Sequence, residues 1–250
     1  MLVKNKYIIQ NIKYLLLDYR FKLIVMFMLC FNFIGSIYFA YNNYYLEGFL
    51  AIFTNIYYVA TFFALILFNT LNTYNMFEKN TYYIIRFDNR KEYLIQLIKN
   101  VLISNAIIFI INILVSFIFL NFFGGNLIIQ NYMNYNVSNI LYVIFYIARF
   151  LILSSIISII NICLLKLIDS KIIIFANAIL WITFIFYPYS QALINSIFNL
   201  PLMLCDYFRA KVYSNFFMES ACSILYIIFL IIITTIIFNI TKNRIKKIGE

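Results

Sequence analysis

Side chains able to catalyse a reaction or bind a metal are few in this sequence and stand far apart. The chain has no histidine, which excludes His-based triads and Cys/His metal sites. Its four cysteines show no CxxC spacing, and its nine acidic residues form no pair suited to acid–base or metal chemistry. Neither GxxxxGK[ST] nor GxGxxG occurs, so no nucleotide-binding loop is evident. The sequence predicts a chain that is not an enzyme and has no cofactor of its own.

One ionisable residue, Arg149, falls inside a long apolar stretch. A charge at mid-depth in a membrane is costly and often functional, so Arg149 is a candidate to hold an anionic substrate group or to close a gate. Two structural alternatives stay open: a buried partner for a carbonyl or carboxylate, and an arginine that reaches the interface. Asparagines within the apolar stretches are expected to hydrogen-bond between helices. They are Asn32, Asn55, Asn105, Asn112, Asn161 and Asn177.

Aromatic residues recur at helical spacing in the second apolar stretch, at Phe53, Tyr57, Tyr58 and Phe62. Such a stripe either lines a pathway for an apolar substrate or packs against a neighbouring helix. The cysteines are expected to be free thiols. A disulfide between Cys205 and Cys222, which both fall near the predicted outer face, stays open.

The connection at residues 71–100 combines paired charges with a short run of aromatic and apolar residues that includes Tyr82 and Tyr83. We call this run the aromatic knob. This pattern suits docking into a groove of a partner protein, and the alternative is a hairpin that lies on lipid headgroups. The candidate docking residues are Glu78, Tyr82, Tyr83, Arg86, Phe87, Asp88, Arg90 and Lys91.

The elements that must position these residues are membrane spans. Apolar residues make up 65% of the chain and charged residues 11%, against about 25% charged in soluble domains. So little polar surface cannot cover a core of this size in water. Six windows have the roughly 20 apolar residues that a transmembrane helix needs. They are residues 23–41, 49–70, 101–121, 139–165, 172–189 and 221–240.

The basic residues predict the orientation. All but three of the 19 lie before the first span, in the second-to-third connection, in the fourth-to-fifth connection or in the tail. The others are Arg149, Arg209 and Lys211. This bias places both termini in the cytoplasm. The net charge of +10 therefore reflects topology, and no nucleic-acid partner is expected.

Two further segments complete a single domain over residues 1–250. Residues 3–21 repeat apolar positions at helical spacing beside basic ones, which predicts an amphipathic helix in the cytoplasmic interface. Residues 190–220 are too apolar for a solvated loop and too interrupted to span, which predicts a re-entrant segment on the outer side. The fold class is thus an all-α integral membrane protein.

The order of these features resembles the permease subunit of the ABC-2 type family of ATP-binding-cassette transporters. The closest local match is EKNTYYIIRFDNRKEYLIQLIKN, where an acidic residue, Glu78, precedes an R-x-x-x-R pattern at Arg86 and Arg90. A glycine often found after the acidic residue is missing, and Asn80 and Thr81 stand in its place.

This resemblance implies that two permease chains pair, as a homodimer or a heterodimer, in the bacterial cytoplasmic membrane. Each chain would dock a separate ATPase, which binds Mg-ATP, through a coupling helix in residues 77–91. The first, second and fifth spans would line the path. Small permeases of this kind are similar to exporters of amphipathic peptides such as lantibiotics and phenol-soluble modulins. An ATP-independent carrier or channel and a non-transporting bacteriocin-immunity protein are the alternatives.

Overall fold

The computed structural model of the chain describes residues 11–41, 56–78, 90–123, 139–179 and 216–247. These residues form helices and turns, and no strand occurs among them. The helices are α1 (residues 11–17), α2 (Tyr19–Tyr41), α3 (Ile56–Glu78), α4 (Arg90–Phe122), α5 (Asn139–Leu165), α6 (Ser170–Ile179) and α7 (Phe216–Lys247). This part of the chain is all-α, as the sequence predicts.

Four of these helices are long and apolar enough to cross a membrane. The qualifying stretches are Tyr19–Ile37, Lys91–Phe122, Ile144–Leu165 and Ser223–Arg244. Their outward-facing side chains include many isoleucines, leucines and phenylalanines, which suits lipid as the surrounding solvent. The chain is therefore a membrane-embedded helical protein.

The second and fifth predicted spans are described in part. The second falls on α3, and the fifth begins on α6, an apolar helix whose described length is ten residues. The re-entrant segment at 190–220 lies outside the described residues. The count of six spans and the orientation with both termini inside stay predictions.

Helix α4 lies at the centre of the described bundle, in contact with α2, α3, α5 and α7. Leu94, Leu97, Val101 and Ile108 recur at intervals of three, four and seven residues and are completely buried. These intervals bring side chains to one face of a helix, so this face of α4 packs against its neighbours. Helix α7 is peripheral: 17% of its apolar window is buried, against 50% for α5.

Aromatic rings join α3, α4 and α5 on one side of this core. The Phe150 ring lies 5.0 Å from Phe62, 5.1 Å from Phe63 and 5.7 Å from Phe109, between ring centroids. Such pairs contribute about 1 kcal/mol beyond the burial of their area. They fix the spacing of three helices near Arg149, which is adjacent to Phe150 in sequence.

Helices α3 and α4 extend past the predicted spans. Helix α4 has 33 residues and is about 50 Å long, whereas the hydrocarbon core of a bilayer is about 30 Å thick. Helix α3 likewise continues from Thr70 to Glu78. Most of the connection at 71–100 is therefore helix, and only residues 79–89 lie outside the described structure.

The N-terminal segment is fastened to these extensions. Helix α1 ends at residue 17, and α2 begins at Tyr19, so the described part of the predicted interfacial helix is shorter than residues 3–21. Leu15 is buried, the Asn11 amide donates to Asn100 Oδ1 at 3.3 Å, and Asn72 donates to the Asp18 carboxylate. Polar and apolar contacts therefore hold α1 against α3 and α4.

Candidate functional site

A polar cluster at the predicted cytoplasmic end joins three separate parts of the chain. Glu78, the last residue of α3, forms an ion pair with Lys166, which follows α5. The Tyr93 hydroxyl, in the first turn of α4, donates to the same carboxylate. The Lys166 ammonium also lies 5.3 Å from the Tyr74 ring and 5.0 Å from the Tyr93 ring, measured to the centroids. We call these four residues the Lys166 cluster.

The cluster combines two kinds of attraction for one cation. A carboxylate supplies the opposite charge, and two tyrosine rings supply their negative faces. The Lys166 side chain is 13% exposed and that of Glu78 35%, so water screens the pair in part. We estimate its contribution to stability at about 1 kcal/mol. The arrangement therefore contributes little to the stability of the whole fold, and its main effect is to position three chain segments.

Lys166 lies in a short, well-bonded turn between α5 and α6. The Leu167 and Ile168 amides both donate to Leu164 O, at 2.9 and 2.8 Å. Asp169 then caps α6, because its Oδ1 accepts from the Lys171 amide at 3.0 Å. A turn bonded in this way moves as one piece with the two helices that it joins.

Neighbouring helices satisfy the carbonyl groups of the same turn. The Tyr74 hydroxyl donates to Leu165 O at 3.3 Å, and Arg244 of α7 donates to Leu167 O at 2.9 Å. Helix C-termini leave carbonyls without intrahelical partners, and these two side chains supply donors. Burial, with Glu78 close by, raises the pKa of the Tyr74 phenol, so this phenol remains a donor at physiological pH.

The predicted docking residues fall partly within the described structure. Glu78 belongs to the Lys166 cluster, and Lys91 is exposed near the start of α4. Arg90 is the first residue of α4, with its side chain outside the described part. Tyr82, Tyr83, Arg86, Phe87 and Asp88 lie outside the described residues. Contact with an ATPase stays a prediction for all eight.

Arg149 is buried within the bundle, with 4% of its surface exposed. Its guanidinium lies 4.8 Å from the Tyr146 ring and 5.4 Å from the Phe145 ring, both about one turn earlier on α5. Burial among aromatic rings favours the interior alternative over an arginine that reaches the interface. A role in gating or anion binding stays a prediction.

The aromatic stripe on α3 is described at Phe62 alone, because the side chains of Tyr57 and Tyr58 and all of Phe53 lie outside the described part. Phe62 is 4% exposed, and its ring lies 6.0 Å from that of Phe109. Within one chain, Phe62 therefore packs against a neighbouring helix, which is one of the two alternatives for the stripe. Whether the stripe lines a pathway stays a prediction.

Asparagines inside the bundle form hydrogen bonds between helices, as predicted. Asn105 of α4 donates to Thr70 Oγ1 at 3.1 Å and to Ser158 Oγ at 2.9 Å, and it accepts from Asn69 at 2.6 Å. On the same helix, Asn112 accepts from Asn32 of α2 at 2.7 Å. We call these six residues the asparagine network. Asn177 of α6 donates to Asn161 at 3.1 Å, and Asn55 lies outside the described residues.

Sequence reasoning missed the partners of Glu78. Lys166 contributed only to the charge count, and Tyr74 and Tyr93 were not singled out. The predicted topology could have indicated these partners. Glu78, Tyr93 and Lys166 all stand at predicted cytoplasmic helix ends and hence at one depth in the membrane. Of the cysteines, Cys30 and Cys163 are free thiols, and the side chains of Cys205 and Cys222 lie outside the described part.

No protein-family model matches the chain, and neither a curated protein nor a solved structure does. The functional assignment therefore rests on the residues and their geometry, together with the order of features along the sequence.

Proposed function

We propose that this chain is the permease subunit of an ATP-binding-cassette exporter, driven by a separate ATPase. The observation that carries this proposal is the pair of helices that extends past the predicted spans on the basic side of the chain. Helices α3 and α4 flank residues 79–89, which hold the aromatic knob and most of the paired charges. We call residues 78–91 the docking hairpin.

The anchoring of this hairpin suits a mechanical role. A segment that passes on a partner's movement needs rigid attachments at both of its ends. Glu78 and Tyr93 stand at the two attachments, and each contacts Lys166. Leu94 and Leu97, both completely buried, fix the start of α4 against the bundle. A hairpin that only rested on lipid headgroups would have no need of these contacts.

An amphipathic peptide is the substrate class that we propose. The chain is rich in aromatic residues, which form 20% of the sequence. A lumen built from such side chains offers apolar contacts to one face of an amphipathic helix. Two permease chains would be needed to enclose that lumen, with α2, α3 and α6 contributing from each chain.

We expect a gene for an ATP-binding-cassette ATPase beside the gene for this chain, and co-purification with its product tests the proposal. The double variant Arg86→Glu plus Arg90→Glu reverses both arginines of the hairpin, and we expect it to lose the ATPase on an affinity column. A matched control, Lys171→Glu plus Lys242→Glu, changes the net charge equally at basic positions outside the hairpin. We expect this control to retain the ATPase. Retention of both the complex and its transport by the arginine variant would overturn the assignment of the hairpin.

The substrate class has its own test. The purified complex is placed in vesicles, and its ATPase rate is measured with a panel of synthetic amphipathic helical peptides and with scrambled peptides of equal composition. We expect stimulation by the amphipathic peptides alone. An equal response to both sets, or to neither, would exclude this substrate class while leaving the ATPase partnership intact.

A further inference from the structure

The docking hairpin has a contact on the bundle that can carry its movement further. Lys166 contacts both helices that flank the hairpin, because it pairs with Glu78 of α3 and lies over the Tyr93 ring of α4 at 5.0 Å. Tyr93 and Glu78 are also hydrogen-bonded to each other. The Lys166 ammonium therefore contacts both attachments of the hairpin. A shift of either attachment would change the surroundings of this ammonium.

On its other side, Lys166 belongs to the turn that joins α5 and α6. The turn amides bond back to Leu164, and Asp169 caps α6 directly after the turn. The turn is also tied to α7 through Arg244. These bonds hold the turn to α5 and α6, so a displacement of Lys166 would move the ends of both helices with it.

The strength of the contact suits a switch. A partly exposed ion pair is a weak contact that can open and form again, and the coupling between two sites of a protein is likewise modest. A completely buried pair would cost far more to open once its partners separated. The exposure of Glu78 leaves room for the pair to rearrange when a partner pulls on the hairpin.

We propose that Lys166 is a positioning residue that passes movement of the docking hairpin to α5 and α6. This inference rests on the proposed function, because an ATPase is the partner that would move the hairpin. In this role Lys166 acts through its contacts with Glu78 and Tyr93. The alternative is a static clamp that holds the helix ends together without taking part in the transport cycle.

Distances between spin labels separate these two cases. Labels at Glu92→Cys on α4 and Ile172→Cys on α6 are each paired with Lys22→Cys on α2, in a background with the four native cysteines replaced by alanine. All three label positions are exposed. The complex of full-length chain and ATPase is measured in lipid nanodiscs without nucleotide and with Mg-ATP plus orthovanadate. In the otherwise unsubstituted chain, we expect both distances to shift by about 2 Å or more.

Lys166→Met removes the charge and keeps an unbranched apolar stem. We expect the ATPase still to co-purify and the α4 distance still to shift, whereas the α6 shift is lost. Lys166→Arg should restore the α6 shift, since arginine pairs with carboxylates and stacks on aromatic rings. Lys171→Met, on the nearby exposed lysine of α6, should leave both shifts intact.

The outcomes are separable. A full α6 shift in Lys166→Met overturns the inference and leaves the proposed function standing. Loss of the α6 shift in Lys171→Met as well would mean that any lost lysine disturbs this region, which also overturns it. If the unsubstituted chain binds no ATPase or shows no nucleotide-dependent shift, the proposed function fails, and the inference fails with it.

Discussion

Two polar regions hold this bundle together, and they use different chemistry at different depths. The asparagine network lies in the middle of α4 and contains only neutral amides and hydroxyls. The Lys166 cluster lies at the predicted cytoplasmic end and contains a carboxylate and an ammonium. Both regions join helices that are distant in sequence.

Depth explains the difference. A charge in the hydrocarbon region loses its hydration, and the attraction of a partner rarely offsets that cost completely. A neutral amide can be satisfied by two or three hydrogen bonds, as Asn105 is. At the predicted cytoplasmic end, about a third of the Glu78 side chain is exposed, so an ion pair is tolerated there and can open again. We infer that the interior network fixes the packing, whereas the ion pair of the cluster can rearrange.

Arg149 is the exception to this division, because it is a buried charge at mid-helix. Phe145 and Tyr146 supply aromatic faces in place of a network of amides. Cation–π contacts away from water contribute about 2 kcal/mol, which offsets part of the desolvation. A charge buried at this cost is a candidate for function. It is also the feature that sets this part of the interior apart from the neutral asparagine network.

The largest effect is expected in the asparagine network. Asn105→Leu removes three cross-helix hydrogen bonds, and we expect the free energy of unfolding to fall by about 2–3 kcal/mol. Titration with a denaturing detergent measures this. The matched control is Asn121→Leu, because Asn121 is exposed and, within the described part of the chain, donates to Phe117 O of its own helix. Equal losses in the two variants would show that the interior network does not fix the packing.

Removal of Arg149 tests the exception. Arg149→Ala deletes both the charge and a buried stem, and we expect a loss of about 2 kcal/mol in the free energy of unfolding. Arg149→Met fills most of the same volume and removes the cost of burying a charge. The free energy of unfolding of this variant should therefore fall by less than about 1 kcal/mol. The same detergent titration compares them. A methionine variant as unstable as the alanine variant would show that the charge itself is required for the fold.

The Lys166 cluster should give a smaller effect that depends on salt. Glu78→Gln and Lys166→Met are each expected to lower the free energy of unfolding by about 1 kcal/mol, and the double variant should lose less than their sum. Raising the salt concentration should shrink the difference from the unsubstituted chain, because dissolved ions screen the attraction of a partly exposed pair. Strict additivity that persists at low salt would mean that the two charges do not interact.

The most local effect, confined to one helical turn, is expected at the cap of α6. Asp169→Ala removes the acceptor for the Lys171 amide and should cost about 1 kcal/mol locally. Hydrogen exchange in the first turn of α6 should then be about fivefold faster. Ser170→Ala is the control, because among the described residues its hydroxyl contacts Asp169 at the long distance of 3.4 Å. A change that spread through α5 would show that the cap does more than close the first turn of α6.

Much of the fold was predictable because apolar length and composition decide it locally. The window at 139–165 coincides with α5, since a run of that composition has no stable alternative to a helix in lipid. The end of α3 was harder, because the polar residues at 71–78 resemble a loop when read alone, whereas the spacing of Leu94, Leu97 and Ile98 predicts the helical start of α4. Both segments remain helical because Phe77, Leu94 and Leu97 pack into the bundle.

The candidate site was predictable at Glu78 and not at its partners. The resemblance marks Glu78 by its place before Arg86 and Arg90, whereas Lys166 stands 88 positions away along the chain. Pairing over that separation depends on how α3, α4 and α5 pack. The asparagines were predictable as hydrogen-bonding residues, because a buried amide in lipid must find a partner. Which asparagine meets which residue depended again on helix packing.

The sequence by itself determined that this is a helical membrane protein, and it marked the basic side of the chain and the charged hairpin. These properties follow from local composition, since lipid selects apolar helices and basic residues bias orientation. Only the tertiary structure decided that Arg149 is buried among aromatic rings, that Asn105 joins three helices and that Lys166 meets both ends of the hairpin. Such contacts depend on the rotation and depth of each helix, which packing sets and composition leaves free.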